Sequence, residues 1–556
     1  MKKSLLLLVA GACFLTALPV REAQGVDAGS VQKGASDVME YYRLEKKLEE
    51  ESKGLQKKER IEMESPPIGK ELTGDGTEIL VTRIVTNSSE VLSPEEIRTI
   101  TGGYEGKRIT IRGLSEIVNK INDLYRAKSN VIAKAILPPQ KVENGVVNIQ
   151  LIEAKIGALK VENNKYTRSG YFLSGISQQS GELIRVDALE RDLQFFNGTN
   201  DVSMSVELKP GGEVGQTDLT LKVLEPKNYN LLIFTDNAGR EATGLYRIGA
   251  FLSDYSVLGY RDALTLGGIW ANGTLGRSAS YNIPVSPYGT RFGVSYDYST
   301  INILPGTFQS VDVAGDSSDL GLTLRQPLLV RERTKVGAHL GFHVKKSATE
   351  FAAVTVSSVR GETYNLGLDF TSFGSGGYWY ASAIATTGLY TNGVDKDFFK
   401  GNAIVIRQQA LAESVLGIFR AGGQFSDTDL LPSAEQFQLG GVSTVRGFPE
   451  GLLSGDDGYL LSAELQFPFF FRELGGIALK DMLRNYAFID HGGAFPFKGA
   501  GNSITSNDYL TGAGFGVIMN LSKYLSGKLS VGFPIGVRGE EQRTARIHFY
   551  VQSSPF

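Results

Sequence analysis

His339 and His343 are two of only four histidines in this 556-residue chain. On a helix, a four-residue spacing would suit a shared metal ion. However, in residues 335–345 Val336, Ala338, Leu340, Phe342 and Val344 alternate with polar residues or glycine, so the segment reads as a strand. Four residues of strand span about 13 Å, beyond the reach of a common ligand. Both imidazoles are therefore expected on a water-facing wall. Gly512-Ala513-Gly514-Phe515-Gly516 hints at a nucleotide loop but lacks the G-x-G-x-x-G spacing and lies inside another alternating run. Its glycines are expected to serve close packing or lumen clearance. No G-x-S-x-G, H-E-x-x-H or G-x-x-x-x-G-K-[ST] motif occurs. No catalytic residue, metal or cofactor is expected, and the chain is read as a non-enzyme.

The elements that hold these residues are built from an unusual mixture. There are 66 glycines, 23 tyrosines and 29 phenylalanines, against 18 prolines, two tryptophans and one cysteine. Charged residues make up 21%, with a net charge of −3. That balance excludes a disordered chain and a strongly basic nucleic-acid binder, so no nucleic-acid partner is expected. Lys2-Lys3, the apolar stretch from Leu5 to Leu18 and the small-residue site Ala23-Gln24-Gly25 read as a secretory leader over 1–25, which contains the single cysteine, Cys13. No later apolar run approaches the ~18 residues of a membrane-spanning helix, so an exported chain of this kind spans a bilayer only as a closed barrel.

Residues 36–64 form a charged, helix-favouring run in which Tyr41, Leu44, Leu48 and Leu55 fall near heptad spacing. Pro66-Pro67 ends it, and 65–76 reads as a linker. The pattern fits a solvated helix, a weak coiled coil or a movable helix docked in a pore. Residues 77–154 and 155–226 then repeat one β-α-α-β-β unit. In the first copy Ser93 and Glu96 make a capping box, and Leu114, Ile117, Val118, Ile121 and Leu124 mark one buried helix face. Small sheets of this type leave an edge to which an extended partner could add.

From 227 to 556 the texture changes to runs of about ten residues with one apolar face, separated by Gly, Ser, Asp and Asn, as in a membrane barrel. Strands are expected near 229, 243, 261, 273, 289, 317, 334, 360, 377, 401, 412, 458, 484, 508, 526 and 543, an even set of the kind closure requires. Such a barrel leaves an aqueous lumen that something must occupy at rest. Residues 426–457 form one long loop whose apolar and glycine residues suggest that it packs somewhere. The last run ends in Phe549 and the terminal Phe556, which read as an assembly signal.

Val445-Arg446-Gly447-Phe448 in that loop resembles the VRG(F/Y) signature of the superfamily of outer-membrane translocators and assembly factors. Phe488-Ile489-Asp490-His491-Gly492 resembles the F-x-D-x-G element of the same proteins, and the two repeated units resemble POTRA domains. Leu137-Pro138-Pro139-Gln140, followed by Gly145, resembles the LPPQ…G element of two-partner secretion transporters of the haemolysin-activator type. The resemblance covers essentially the whole chain after the leader. It implies a mainly β fold: a sixteen-stranded antiparallel transmembrane barrel preceded by an N-terminal helix and two POTRA domains. It also implies that loop 426–457 folds inward, with Arg446 pairing with Asp490 on the inner wall.

The implied location is the outer membrane, with the POTRA domains in the periplasm. The implied function is export of a large partner exoprotein through the pore. The implied partners are that exoprotein at the POTRA edges, outer-membrane lipid and the barrel-assembly machinery. An assembly factor that inserts other barrels is the alternative, though such relatives usually carry three or more POTRA units. A passive porin with binding modules would need neither motif.

Overall fold

Strand periodicity dominates the architecture. The structure is a computed structural model that describes residues 27–54, 61–63, 78–128, 131–304, 313–352, 354–391, 395–428, 430–471, 473–474, 477–479, 482–495, 504–536 and 544–555. The leader at 1–25, the linker at 65–76, Leu55 and Phe556 lie outside the described residues.

Sixteen antiparallel strands close into a barrel, the first (Tyr229–Asp236) pairing with the last (Arg546–Ser553) from Ile233↔Ser553 to Asp236↔Tyr550. The alternation that builds the strands also sorts their faces. Leu320, Leu340, Leu366, Leu368 and Trp379 point outward and stay exposed, whereas Ser317, Thr363, Ser382, Lys400, Glu464 and Asp490 point inward and are buried. An apolar outer belt around a polar interior is what lipid outside and water inside select. Among the described residues, no helix is long and apolar enough to cross a membrane.

The two repeated units sit at the rim where the first strand begins. In the first, Ser93 and Glu96 cap the helix Pro94–Thr101 reciprocally. The helix Ile111–Lys128 buries Leu114, Ile117, Ile121 and Tyr125 against the strands Arg83–Thr86, Ala133–Ile136 and Val146–Glu153. In the second, Leu189, Leu193 and Phe196 of the helix Val186–Thr199 pack on the strands Ser203–Pro210 and Gln216–Leu224. Arg261, fully buried on a short turn of the barrel, ion-pairs with Asp201 of this unit, and the Arg168 guanidinium stacks 4.9 Å above the Tyr260 ring. This unit is thus fastened to the barrel mouth.

The N-terminal helix, α1, spans Ala28–Gly54 rather than 36–64. Its start is hidden by Gly29 and Gly34, poor helix formers that Asp27 compensates by accepting the Ser30 N–H at 2.9 Å. At the other end, Ile61–Met63 is a strand. It pairs in parallel with Ser203–Pro210 of the second unit, Ile61↔Val206 to Met63↔Leu208. An open sheet edge overrides the helical propensity of three residues.

Candidate functional site

Loop 426–457 leaves the strand Val415–Ser426, folds back into the lumen and returns as Asp457–Pro468. A small hairpin, Phe437–Leu439 with Leu453–Gly455, stiffens it. Apolar residues seat the tip: Leu439, Val445, Phe448 and Leu453 bury against Leu460, Ala494 and Leu510 of the wall. A Cβ on Gly492 would stand 2.8 Å from a Leu439 methyl, so that wall glycine clears the loop.

Arg446 lies at the tip, where its Nε and Nη2 donate to the two Asp490 oxygens at 2.8 and 2.9 Å. Its own backbone N–H also donates to Asp490 Oδ2, at 3.1 Å. Nη1 donates to Glu464 Oε2 at 2.6 Å, and the guanidinium stands 3.6 Å from the Phe488 ring centroid. Ser462 Oγ donates to Asp490 and Gln466 Nε2 to Glu464, so both carboxylates are held from the wall side. Asp490 is fully buried and Arg446 only 6% exposed. A fork bonded bidentately to a carboxylate is strong and directional, and removing one partner of such a buried pair typically costs about 3–5 kcal/mol.

Backbone fit completes the seat. Gly447 has φ +100°, a conformation other residues adopt only with strain, and its N–H donates to His548 Nε2 at 3.1 Å. The alternating glycines 512, 514 and 516 give up volume to three different neighbours. A Cβ at these positions would lie 2.0 Å from the Arg446 carbonyl oxygen, 2.6 Å from the Phe488 ring and 2.6 Å from the Tyr486 ring, respectively.

A second anchor holds the outer part of the loop. Glu435 lies between Lys345 and Lys400, at 2.6 and 2.7 Å, and accepts from Tyr390 Oη at 2.9 Å. Asp456 accepts the N–H groups of Leu430 and Leu431, both at 2.9 Å.

Helix α1 occupies the rest of the lumen's axis. Ala28 and Val31 pack on Ile301, and Leu48 packs with Phe373, Tyr378 and Ile406. Tyr42 stacks on Tyr550 with ring centroids 3.9 Å apart, Arg420 covers Tyr41 at 4.8 Å, and Glu45 pairs with Lys528. These wall residues come from strands all around the circumference, a set that one helix reaches only from inside. Twenty-seven residues of helix run about 40 Å, enough to traverse the barrel. At the helix start, Arg240 donates to Ser30 Oγ and to the Ser30 carbonyl, both at 3.1 Å. Gln438 of the loop donates to that same carbonyl at 3.0 Å. A cavity of about 1910 Å³, lined by helix, loop and wall, remains beside the helix.

The other sequence-singled residues lie elsewhere. Leu137 packs against the core of the first unit. After Pro138 and Pro139, the Gln140 amide makes two 2.7 Å hydrogen bonds to the backbone of Asn148, bracing the neighbouring strand as a ladder rung would. Phe549 lies on the last strand with its ring 6.2 Å from that of Tyr246. His339 and His343 each face their own carboxylate, Asp369 at 3.1 Å and Asp319 at 3.0 Å. Sequence reasoning missed Glu464, His548, Tyr486 and the Glu435–Lys345–Lys400 cluster as site residues. The available signal was charge on the inward face of the alternating strands.

Three comparisons bear on this geometry. The profile for haemolysin secretion/activation proteins ShlB/FhaC/HecB matches residues 215–519, and that for the ShlB-type POTRA domain matches 79–154. The heme/hemopexin transporter protein HuxB of Haemophilus influenzae (strain 86-028NP) is 27% identical over 471 residues, covering 81% of this chain and 82% of that protein. The outer membrane transporter CdiB of Escherichia coli O6:K15:H31 is 23% identical over 496 residues, covering 83% and 80%.

Among solved structures, CdiB from Escherichia coli superimposes with a TM-score of 0.66 at 20% identity, covering 96% of this chain and 100% of that one. BamA from Haemophilus ducreyi lacking POTRA domains 1–3 reaches 0.53 at 15% identity, covering 86% and 100%. At these identities the two structures speak to fold alone. The chain belongs to the ShlB/FhaC/HecB family of haemolysin secretion/activation proteins and is an outer-membrane transporter that secretes a partner exoprotein.

Proposed function

We propose that export is gated by helix α1 and loop 426–457 acting together, and that the partner enters by adding a strand to a POTRA edge. The observation that carries the gating is the occupied lumen: helix and loop both lie inside it and meet at one end through Ser30, Arg240 and Gln438. A polypeptide passes only after α1 leaves. The loop then shifts about its Arg446–Asp490 anchor, which holds a position and carries no reaction.

Entry by strand addition rests on the edge at Ser203–Pro210, which already accepts Ile61–Met63 in parallel register. Main-chain pairing of this kind needs little side-chain specificity, so one edge serves an extended segment of many sequences. The sequence carries no G-x-x-x-x-G-K-[ST] phosphate loop. Folding of the cargo outside the cell is the proposed driving force.

The test places a photo-crosslinking amino acid at Ser205, on the accepting edge, or at Asn163, away from it, in cells secreting the partner. Adducts with the partner are expected from Ser205 and not from Asn163. Adducts from Asn163 alone, or from neither position while secretion continues, would contradict entry at this edge.

A further inference from the structure

The outer wall carries a charge arrangement that neither gating nor export uses. On the strands Val313–Val330, Thr334–Phe351 and Val354–Gly374, the outward residues form stacked apolar rows. Leu324 lies beside Leu340 and Leu366, and Leu322 lies beside Phe342 and Tyr364. The next row is Leu320, Val344 and Glu362. One row further from the POTRA side, Ser318, Lys346, Arg360 and Thr391 stand in direct register across four strands. Lys346 and Arg360 are therefore opposed cations on the outer face, at the first row above the apolar belt. Both are exposed. Neither makes an ion pair or side-chain hydrogen bond among the described residues, and Glu362, one row lower, pairs with neither.

Like charges directly opposed across strands repel and destabilise a sheet unless something neutralises them. The strands Thr334–Phe351 and Val354–Gly374 end at the Phe351↔Val354 pair, on the side of the barrel away from the POTRA units, so this row lies in the outward-facing leaflet. Headgroups there meet the wall at the height where the apolar belt stops. An arginine fork beside a lysine ammonium, flanked by the hydroxyls of Ser318 and Thr391, matches a phosphate monoester in geometry and in charge. We propose that Lys346 and Arg360 form a site for the phosphorylated headgroup of an outer-leaflet glycolipid, which seats its acyl chains on the Leu320–Val344–Leu366 surface. This lipid is a bound component of the barrel, separate from the exported cargo.

The test uses the full-length protein in detergent, with diphosphoryl lipid A as probe and native mass spectrometry as readout. Retained lipid is expected to fall at least about fivefold in the Lys346→Gln/Arg360→Gln double variant, and similarly for the native protein given dephosphorylated lipid A. The exchanged pair, Lys346→Arg with Arg360→Lys, is expected to retain it, which separates loss of charge from damage to the strands. Lys523→Gln, at a turn on the POTRA side, is expected to change nothing. Equal retention by the double variant, or equal binding of dephosphorylated lipid A, would overturn the proposal. Displacement of the lipid by inorganic phosphate alone would assign the cations to a free anion and overturn it equally.

Discussion

Gly29 of the lumen helix and Ala434 of the inward loop face each other so closely that a Cβ on Gly29 would stand 3.3 Å from the Ala434 Cβ. That is near the ≈3.8 Å separation of disulfide-bonded residues. Because Cys13 in the leader is the chain's single cysteine, the pair Gly29→Cys/Ala434→Cys introduces the only thiols beyond it. Under oxidising conditions a helix–loop crosslink is expected to stop secretion, with reductant restoring it. Undiminished secretion by the crosslinked protein would mean that the helix need not part from the loop.

The Arg446–Asp490 fork gives a second expectation. Arg446→Ala leaves Asp490 and Glu464 buried without their cation, a change worth about 3–5 kcal/mol at the loop tip. Secretion is expected to fall severalfold while the barrel still assembles, as judged by heat-modifiable migration on gels. Arg446→Lys is expected to rescue only in part, since an ammonium cannot reproduce the bidentate contact. Loss of the folded barrel in Arg446→Ala would reduce the pair to a structural strut.

Gly512 gives a sharper probe of the seat, because the change removes no charge. A Cβ there would lie 2.0 Å from the Arg446 carbonyl oxygen. Gly512→Val is expected to lift the loop from the wall, with an overpacking penalty of about 1–3 kcal/mol. Cells carrying it should become more sensitive to large antibiotics that a closed outer membrane excludes. Unchanged sensitivity, with the barrel assembled, would mean the loop tolerates displacement without opening a path.

Much of the architecture was legible in the sequence because a strand declares itself by a period of two. The sixteen expected strand positions match the sixteen observed strands in number and order, each within about six residues of an observed start, and the long loop falls between the eleventh and twelfth. The glycines at 512–516 read correctly as packing devices, although nothing in the sequence said that Gly512 clears the Arg446 backbone while Gly514 and Gly516 clear the Phe488 and Tyr486 rings. The wall partners of the loop were not legible. Glu464 and His548 look like any other inward polar residue of an alternating strand, and only closure of the barrel decides which of them meets the loop. The helix start was missed because Asp27 compensates locally for two glycines. Ile61–Met63 was misread because its edge partner lies more than 140 residues away.

The first POTRA unit gives a pH expectation. Burial pushes the Glu153 carboxyl up, but hydrogen bonds from Ser89, from the Glu90 backbone N–H and from Tyr125 outweigh this and hold it below the ordinary carboxylate range. A carboxyl lowered by folding stabilises the folded unit above its unfolded value of about 4.3 and loses that contribution as pH falls through the folded value. Hydrogen exchange across residues 78–153 of the full chain is expected to be flat between about pH 5 and 7, after correction for intrinsic rates, and to accelerate under stronger acid. Glu153→Gln should remove the acid step and cost about 1 kcal/mol at neutral pH. An acid step that survives the substitution would assign it to another group.

Single-channel conductance in planar bilayers, comparing the full-length protein with one lacking residues 28–54, tests the gated lumen most directly. A small, flickering pore that becomes large and steady on deletion is the expected result, since the helix touches the wall on all sides. Equal conductance in the two proteins would contradict it: α1 would not close the pore, and the loop around Arg446 would have to do so alone.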